Sequence, residues 1–262
     1  MKYYPTALHQ NAAKKFVEIF GKDARVMSIL LNCSCARGKA SKDSCLDLCL
    51  ILKHKKDVNI VRKKFEFLYT KINEFKNLKK AGVYSHIDLH ITDGNIIQRK
   101  RSWTQGPDDF ELEIGNIFIY SVALLDKNNY FAKLRSKYIP YYSEKLREKR
   151  LADAKKHLYN NLNHVPLYVK RGLYFAAFKR FNDASKEFLQ VLFMKNRIYP
   201  ISYDKWIKEQ LVEILKDRAL YNAFVSLYEV KRLESNELIV KANKLKRLCD
   251  KYLEDKPRPQ PL

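Results

Sequence analysis

Residues 33–48 read CSCARGKASKDSCLDL and place a hydroxyl (Ser34), a guanidinium (Arg37), an ammonium (Lys39) and a carboxylate (Asp47) within one turn and the start of one apolar run. The first three are donors suited to phosphate oxygens, and the fourth is a ligand for hard cations. Cysteines at 33, 35, 45 and 49 raise soft-metal chemistry as a second option. CxC followed by CxxxC is not a common zinc spacing, however, and Cys49 falls inside an apolar strand, so no zinc site is expected. Further along, YSHIDLHIT at 84–92 alternates, which puts His86, Asp88 and His90 on one strand face and Ile87, Leu89 and Ile91 on the other. That face offers either transition-metal ligands or a polar cleft wall, and the second is the commoner use of such histidines.

These residues need elements to hold them. Leu8–Gly21 carries Ala12, Ala13, Phe16, Val17 and Phe20 at helical spacing and stops at Gly21. The apolar runs RVMSILLN (25–32) and CLDLCLILK (45–53) predict two neighbouring strands on either side of the turn. Asp57 is placed to cap a long amphipathic helix through about Lys80, with a stripe of Val58, Ile60, Val61, Phe65, Phe67, Leu68, Ile72 and Phe75. Gly82 breaks it before the third strand. Residues 93–116 read as a loop or short strands, followed by the apolar IFIYSVALL at 117–125. From Tyr130 the pattern is helical, and Pro140, Pro166 and Pro200 predict helix starts near 141, 165 and 201.

The order helix, strand, turn, strand, long helix, strand, helical bundle resembles the nucleotidyltransferase superfamily with the DNA polymerase beta catalytic fold. It is most similar to small prokaryotic enzymes such as the antibiotic nucleotidyltransferases, in which a C-terminal helical domain follows. The family pattern runs Gly-Ser, a loop often containing Ala-Arg-Gly, then Ser-Asp-x-Asp-Leu. Ser34, Ala36, Arg37, Gly38, Ser44, Asp47 and Leu48 match it, whereas Cys33 stands for the Gly and Cys45 for the first Asp. The resemblance implies an α+β fold: a small mixed sheet flanked by helices over 1–128, an all-helical substrate-binding domain over 129–254, and a mobile tail at 255–262. It further implies Asp47 and Asp88 as catalytic and metal-binding carboxylates for Mg2+ or Mn2+. Ser34, Arg37, Gly38, Lys39 and Ser44 become the residues that cradle a triphosphate, with ATP as donor.

Such a site transfers a nucleoside monophosphate, here AMP, to a hydroxyl on a small molecule, a protein or an RNA by two-metal in-line displacement. A thiol at position 45 removes a charge and the hard oxygen that Mg2+ prefers. Asp43, two residues earlier, is the one nearby substitute and precedes the strand. The alternative expectation is therefore a catalytically impaired module that binds nucleotide or nucleic acid.

Composition bounds the rest. The 262 residues hold 51 Lys plus Arg against 29 Asp plus Glu, a formal charge of +22 that attracts polyanions. Residues 131–262 carry net +14 of it and residues 1–130 net +8. A solvated-lysine surface accounts for such a balance as readily as a nucleic-acid interface. Two further features carry the same ambiguity. REKRLADAKKHLYN (147–160) is a candidate phosphate-facing helix, and Phe193, Tyr199, Tyr203 and Trp206 are a candidate base-stacking platform, though solvated faces and core packing are the usual uses of such residues. The odd cysteine count predicts a reducing cytoplasm. No apolar run approaches the ~20 residues of a membrane span, and neither a P-loop nor a GxSxG elbow is present.

Overall fold

The computed structural model describes residues 3–254, and the tail expected at 255–262 lies outside them. In chain order the elements are α1 (Ala7–Phe20), β1 (Val26–Leu31), α2 (Cys33–Ala36), β2 (Leu46–Leu52), α3 (Val58–Tyr69), α4 (Asn73–Leu78), β3 (Ile87–Thr92), α5 (Phe110–Ile114), β4 (Val122–Asp126), α6 (Tyr130–Arg135), α7 (Glu144–Lys170), α8 (Tyr174–Lys195), α9 (Arg218–Leu227) and α10 (Glu237–Leu253). The protein is α+β, with a mixed four-stranded sheet and a long helical C-terminal part. The sheet order is β3-β2-β1-β4; β1 runs antiparallel to β2 and β4, and β2 runs parallel to β3.

Strand position follows from strand sequence. β1 (VMSILL) and β2 (LDLCLIL) are nearly continuous apolar runs, and they are the two inner strands, buried almost throughout. β3 alternates and lies at an edge, with Ile87 and Ile91 buried and His86, Asp88 and His90 exposed, as the alternation predicts. α1 starts at Thr6, whose side chain accepts from the His9 N–H, and buries Ala12, Ala13, Phe16 and Phe20. The rings of Phe16 and Phe20 stack at 4.5 Å and pack with Phe65 and Phe75 over the sheet.

Three helix expectations need correction. The helix expected from Asp57 to Lys80 is two helices: Lys71 and Ile72 N–H both return to the Leu68 carbonyl, and Ile72 is extended before α4 begins. Asp57 makes no side-chain cap, since it closes a 3-10 turn (Lys55–Asp57) with helical backbone angles. Ile60 and Phe67 of the expected stripe are 52% and 59% exposed, so the buried face of α3 centres on Val61.

Pro166 begins no helix; it lies inside α7. Proline costs a backbone hydrogen bond there, but Ala154, Leu158, Leu162, Val165 and Val169 form one continuous buried stripe that crosses it. α7 runs on to Lys170 and is closed by Gly172, whose φ of +71° lets Leu173 N–H bond back to the Tyr168 carbonyl. The start expected near 201 is also displaced: residues 201–206 form a loop, and helical turns begin at 207.

The chain forms two compact units. One contains the described residues through Ile97 with Glu113–Ile139; the other contains Gln98–Leu112 with the described residues from Pro140. The boundary expected after residue 128 is thus replaced by three crossings. The cause is polar: in the second unit Arg101 pairs with Glu187, and Arg150 pairs with Asp108 and Glu111, all buried or nearly so. The segment 98–112 supplies part of the helical unit's interior, which its loop-like sequence did not disclose.

Candidate functional site

The turn after β1 is built by backbone geometry. Cys33 has φ +52°, the left-handed conformation for which glycine is ordinarily used. The position where the family resemblance expects Gly therefore keeps glycine's backbone shape without its residue. Cys33 opens the four-residue helix α2, which is closed by a paired terminal motif: Gly38 N–H bonds the Cys35 carbonyl, Lys39 N–H bonds the Ser34 carbonyl, and Gly38 has φ +68°. Gly38 is needed for that closure. Substituting Val for Cys33 is expected to cost about 1–2 kcal/mol by denaturant unfolding, since a β-branched residue tolerates this region poorly, whereas Cys33→Gly is expected to be tolerated.

The two carboxylates meet by register. Asp47 on β2 is the direct partner of Asp88 on β3, and parallel neighbours lie about 4.8 Å apart. One strand further across, Asn32 N–H bonds the Asp47 carbonyl at 2.9 Å. Asn32, Asp47 and Asp88 thus form a row across three strands. Asn32 is 6% exposed, and its side-chain oxygen is buried without a hydrogen-bond partner. The sequence reading missed it; its position directly before CSC, at the end of the first strand, was the available signal.

Cys45 is turned onto this row. Its Sγ donates to both Asp47 oxygens, at 3.3 Å each. Burial, with the nearby charge of Asp47, pushes the Cys45 thiol up to about 12, so it is uncharged at neutral pH. Cys33 and Cys35 are pushed up to about 12 for the same first reason. Burial also raises Asp47 to about 6; the Cys45 hydrogen bond opposes the rise, Asp88 adds to it, and His86 and Arg37 oppose it.

The sign of the pH effect follows. A raised carboxyl holds its proton more tightly in the folded state, so its stabilising contribution is complete below the ordinary 3.8 and is lost as pH rises through about 6. Melting temperatures in chelator are expected to fall across that window and to fall less in Asp47→Asn. Equal slopes for both proteins would refute the burial of this carboxyl.

The structure sets Asp47 beside Asp88 with Arg37 near enough to act on Asp47, while Ser34 is buried and Gly38 and Lys39 are exposed. The Ser44 hydroxyl accepts from Ser41 N–H at 2.9 Å and shapes the 41–44 turn. Asp43 precedes β2, and its carboxylate accepts from Val83 N–H at 3.1 Å, which ties two loops together. His86 Nδ1 lies 2.8 Å from the Tyr84 carbonyl. Among the described residues no three His, Cys, Asp or Glu side chains are placed together to hold a metal ion.

The chain has a distant likeness to a solved structure. That structure is of a nucleotidyltransferase-like protein from Exiguobacterium sibiricum 255-15, with TM-score 0.46 and 12% identity over 94% of this chain and 75% of that one. At that level the likeness assigns neither activity nor residues. No protein-family model and no curated protein matches the chain in sequence.

The donor set decides what metal chemistry fits. Two carboxylates suffice for one Mg2+ whose other positions go to water and phosphate. They do not suffice for a two-ion clamp when the third position is an uncharged thiol that donates to one of them. The residues of this chain fit one hard cation and do not fit two. Elsewhere, Arg147, Arg150 and His157 of the 147–160 helix are buried in the second unit, with Arg150 spent on Asp108 and Glu111, so these side chains do not face solvent phosphate.

Proposed function

We propose that this chain is a nucleotidyltransferase-like protein that binds a nucleoside triphosphate, ATP, at the turn of Ser34, Arg37 and Lys39, and in which transfer is impaired. The observation that carries this reading is the Cys45 thiol donating to both oxygens of Asp47. Cys45 occupies the place where the resembling family has a metal-binding Asp, and it keeps Asp47 hydrogen-bonded rather than open to a second ion. The left-handed backbone of Cys33 and the Gly38 closure support a phosphate-binding role for the turn that outlasts the loss of catalysis.

A second reading is AMP transfer to a hydroxyl acceptor (a small molecule, a protein or an RNA) with a single Mg2+ or Mn2+. The registry of Asp47 with Asp88 favours it. The five free cysteines support a reducing, cytoplasmic setting, and no described helix is long and apolar enough to cross a membrane.

Calorimetric titration with ATP, with and without Mg2+, tests the reading. Mg2+-dependent binding is expected, and Asp47→Ala is expected to lower affinity for Mg2+-ATP about tenfold. Equal affinity with and without Mg2+ removes Asp47 and Asp88 from metal binding. Labelled AMP incorporated by the unaltered chain overturns impairment and establishes the second reading. Filter binding of RNA titrated against salt tests an RNA acceptor, and a slope near zero would exclude an extensive phosphate interface.

A further inference from the structure

The aromatic residues singled out in the sequence divide into two groups in the second unit. Phe193 and Tyr199 are packed inside, Tyr199 stacked on Tyr141 at 4.5 Å and accepting from Tyr142 N–H at 3.0 Å. Tyr203, itself only 7% exposed, and Trp206, 38% exposed, line a cavity of about 510 Å³ together with Phe224 and Tyr228, with Lys186 and Lys208 in its wall. That volume lies within the roughly 300–1,000 Å³ usual for small-molecule sites.

Trp206 is held there at a conformational cost. Its φ is +59°, a region that bulky residues avoid, yet it is 38% exposed and so is not held there by full burial. The loop before it is held by the buried side chain of Gln210, 1% exposed, and by the Ser202 hydroxyl, which accepts from the N–H groups of Asp204 and Lys205. Gln210 Oε1 accepts from Ile201 N–H at 2.7 Å and Ser202 N–H at 3.3 Å, while its Nε2 donates to the carbonyls of Ser202 at 2.7 Å and Lys205 at 3.1 Å. An over-determined, strained residue at the mouth of a cavity is the arrangement found at ligand clamps.

The lining specifies the ligand. Exposed indole and phenol faces recognise a planar π system. The ammonium groups of Lys186 and Lys208 recognise an anion; Lys186 lies 3.5 Å from Asp204, a contact that a competing anion can displace. We infer that this cavity binds a planar aromatic ring bearing an anionic group, the ring on Trp206 and Tyr228 and the anion toward Lys208 and Lys186. This site is separate from the Asp47 turn and does not depend on the reading given to that turn.

Tryptophan fluorescence of the full chain provides the test, because the chain has two tryptophans and Trp103 does not line the cavity. AMP and benzoate are the probes, for a phosphate and a carboxylate source of the anion, and adenosine is the uncharged control. Saturable quenching by AMP, by benzoate or by both is expected, and which of them binds identifies the source. Val225→Glu, which places a carboxylate at a 42% exposed lining position, and Lys208→Gln are each expected to weaken it about tenfold. Asp47→Ala is expected to leave it unchanged. No saturable quenching by either anion, quenching insensitive to both cavity variants, or adenosine binding as tightly as AMP would each overturn the inference.

Discussion

Replacing Cys45 with Asp is expected to raise Mg2+ affinity in the presence of ATP by at least about tenfold and to destabilise the metal-free protein by about 1–2 kcal/mol. Both effects come from one change. The thiol now neutralises part of the problem at Asp47 by donating to both of its oxygens. A carboxylate in the same place accepts instead of donating, and it stands beside Asp47 and near Asp88, whose charge already raises Asp47. Without a cation the cluster of like charges is unfavourable. With one, the cluster supplies the hard oxygens that a thiol lacks. Magnesium titrations of the unaltered and substituted chains, paired with denaturant unfolding in chelator, measure the two arms separately. If Cys45→Asp gains no Mg2+ affinity, the row of Asn32, Asp47 and Asp88 is not a cation site. If AMP transfer appears only after the substitution, the natural chain is the impaired form.

Removing Arg150 is expected to cost about 3–5 kcal/mol, the range for leaving a buried charge without its partner. Its side chain is 2% exposed and that of Glu111 is fully buried. The guanidinium makes two contacts to Glu111, at 2.6 and 2.7 Å, and one to Asp108 at 2.6 Å. In Arg150→Ala, Glu111 retains only the Tyr142 hydroxyl at 2.6 Å and Gln190 at 3.2 Å. Arg150→Met combined with Glu111→Leu removes both charges and is expected to cost much less than Arg150→Ala alone. Urea unfolding of the second unit's helices measures both variants. A loss below about 1 kcal/mol for Arg150→Ala would place the pair in solvent, contrary to its burial.

These two sites show unequal legibility. The strand pattern was readable because inner strands are apolar on both faces and an edge strand alternates. LDLCLIL and IDLHIT differ in that way; alternation put Asp88 on the polar face of the second, whereas Asp47 was singled out only by the family resemblance of its motif. Helix ends were less legible. Pro166 argues locally for a helix start, but a buried stripe from Ala154 to Val169 outweighs one missing hydrogen bond. The 93–116 segment was unreadable in sequence because its role comes from partners far along the chain: Arg101 and Glu111 meet Glu187 and Arg150.

At the turn itself, residue types within CSCARGKASKDSCLDL determined the candidate phosphate donors and the carboxylate of Asp47, since those depend on chemistry that each residue carries alone, while only the family resemblance marks Cys45 as standing in a carboxylate's place. Tertiary structure decided what those residues do to one another. Strand registry set Asp47 beside both Asp88 and Asn32, burial left the Cys45 thiol uncharged and donating, and hydrogen bonds engaged the Ser44 hydroxyl with Ser41 and the Asp43 carboxylate with Val83. The reason is physical: charge state and ligand geometry depend on desolvation and on neighbours across the sheet, and neither is local in sequence.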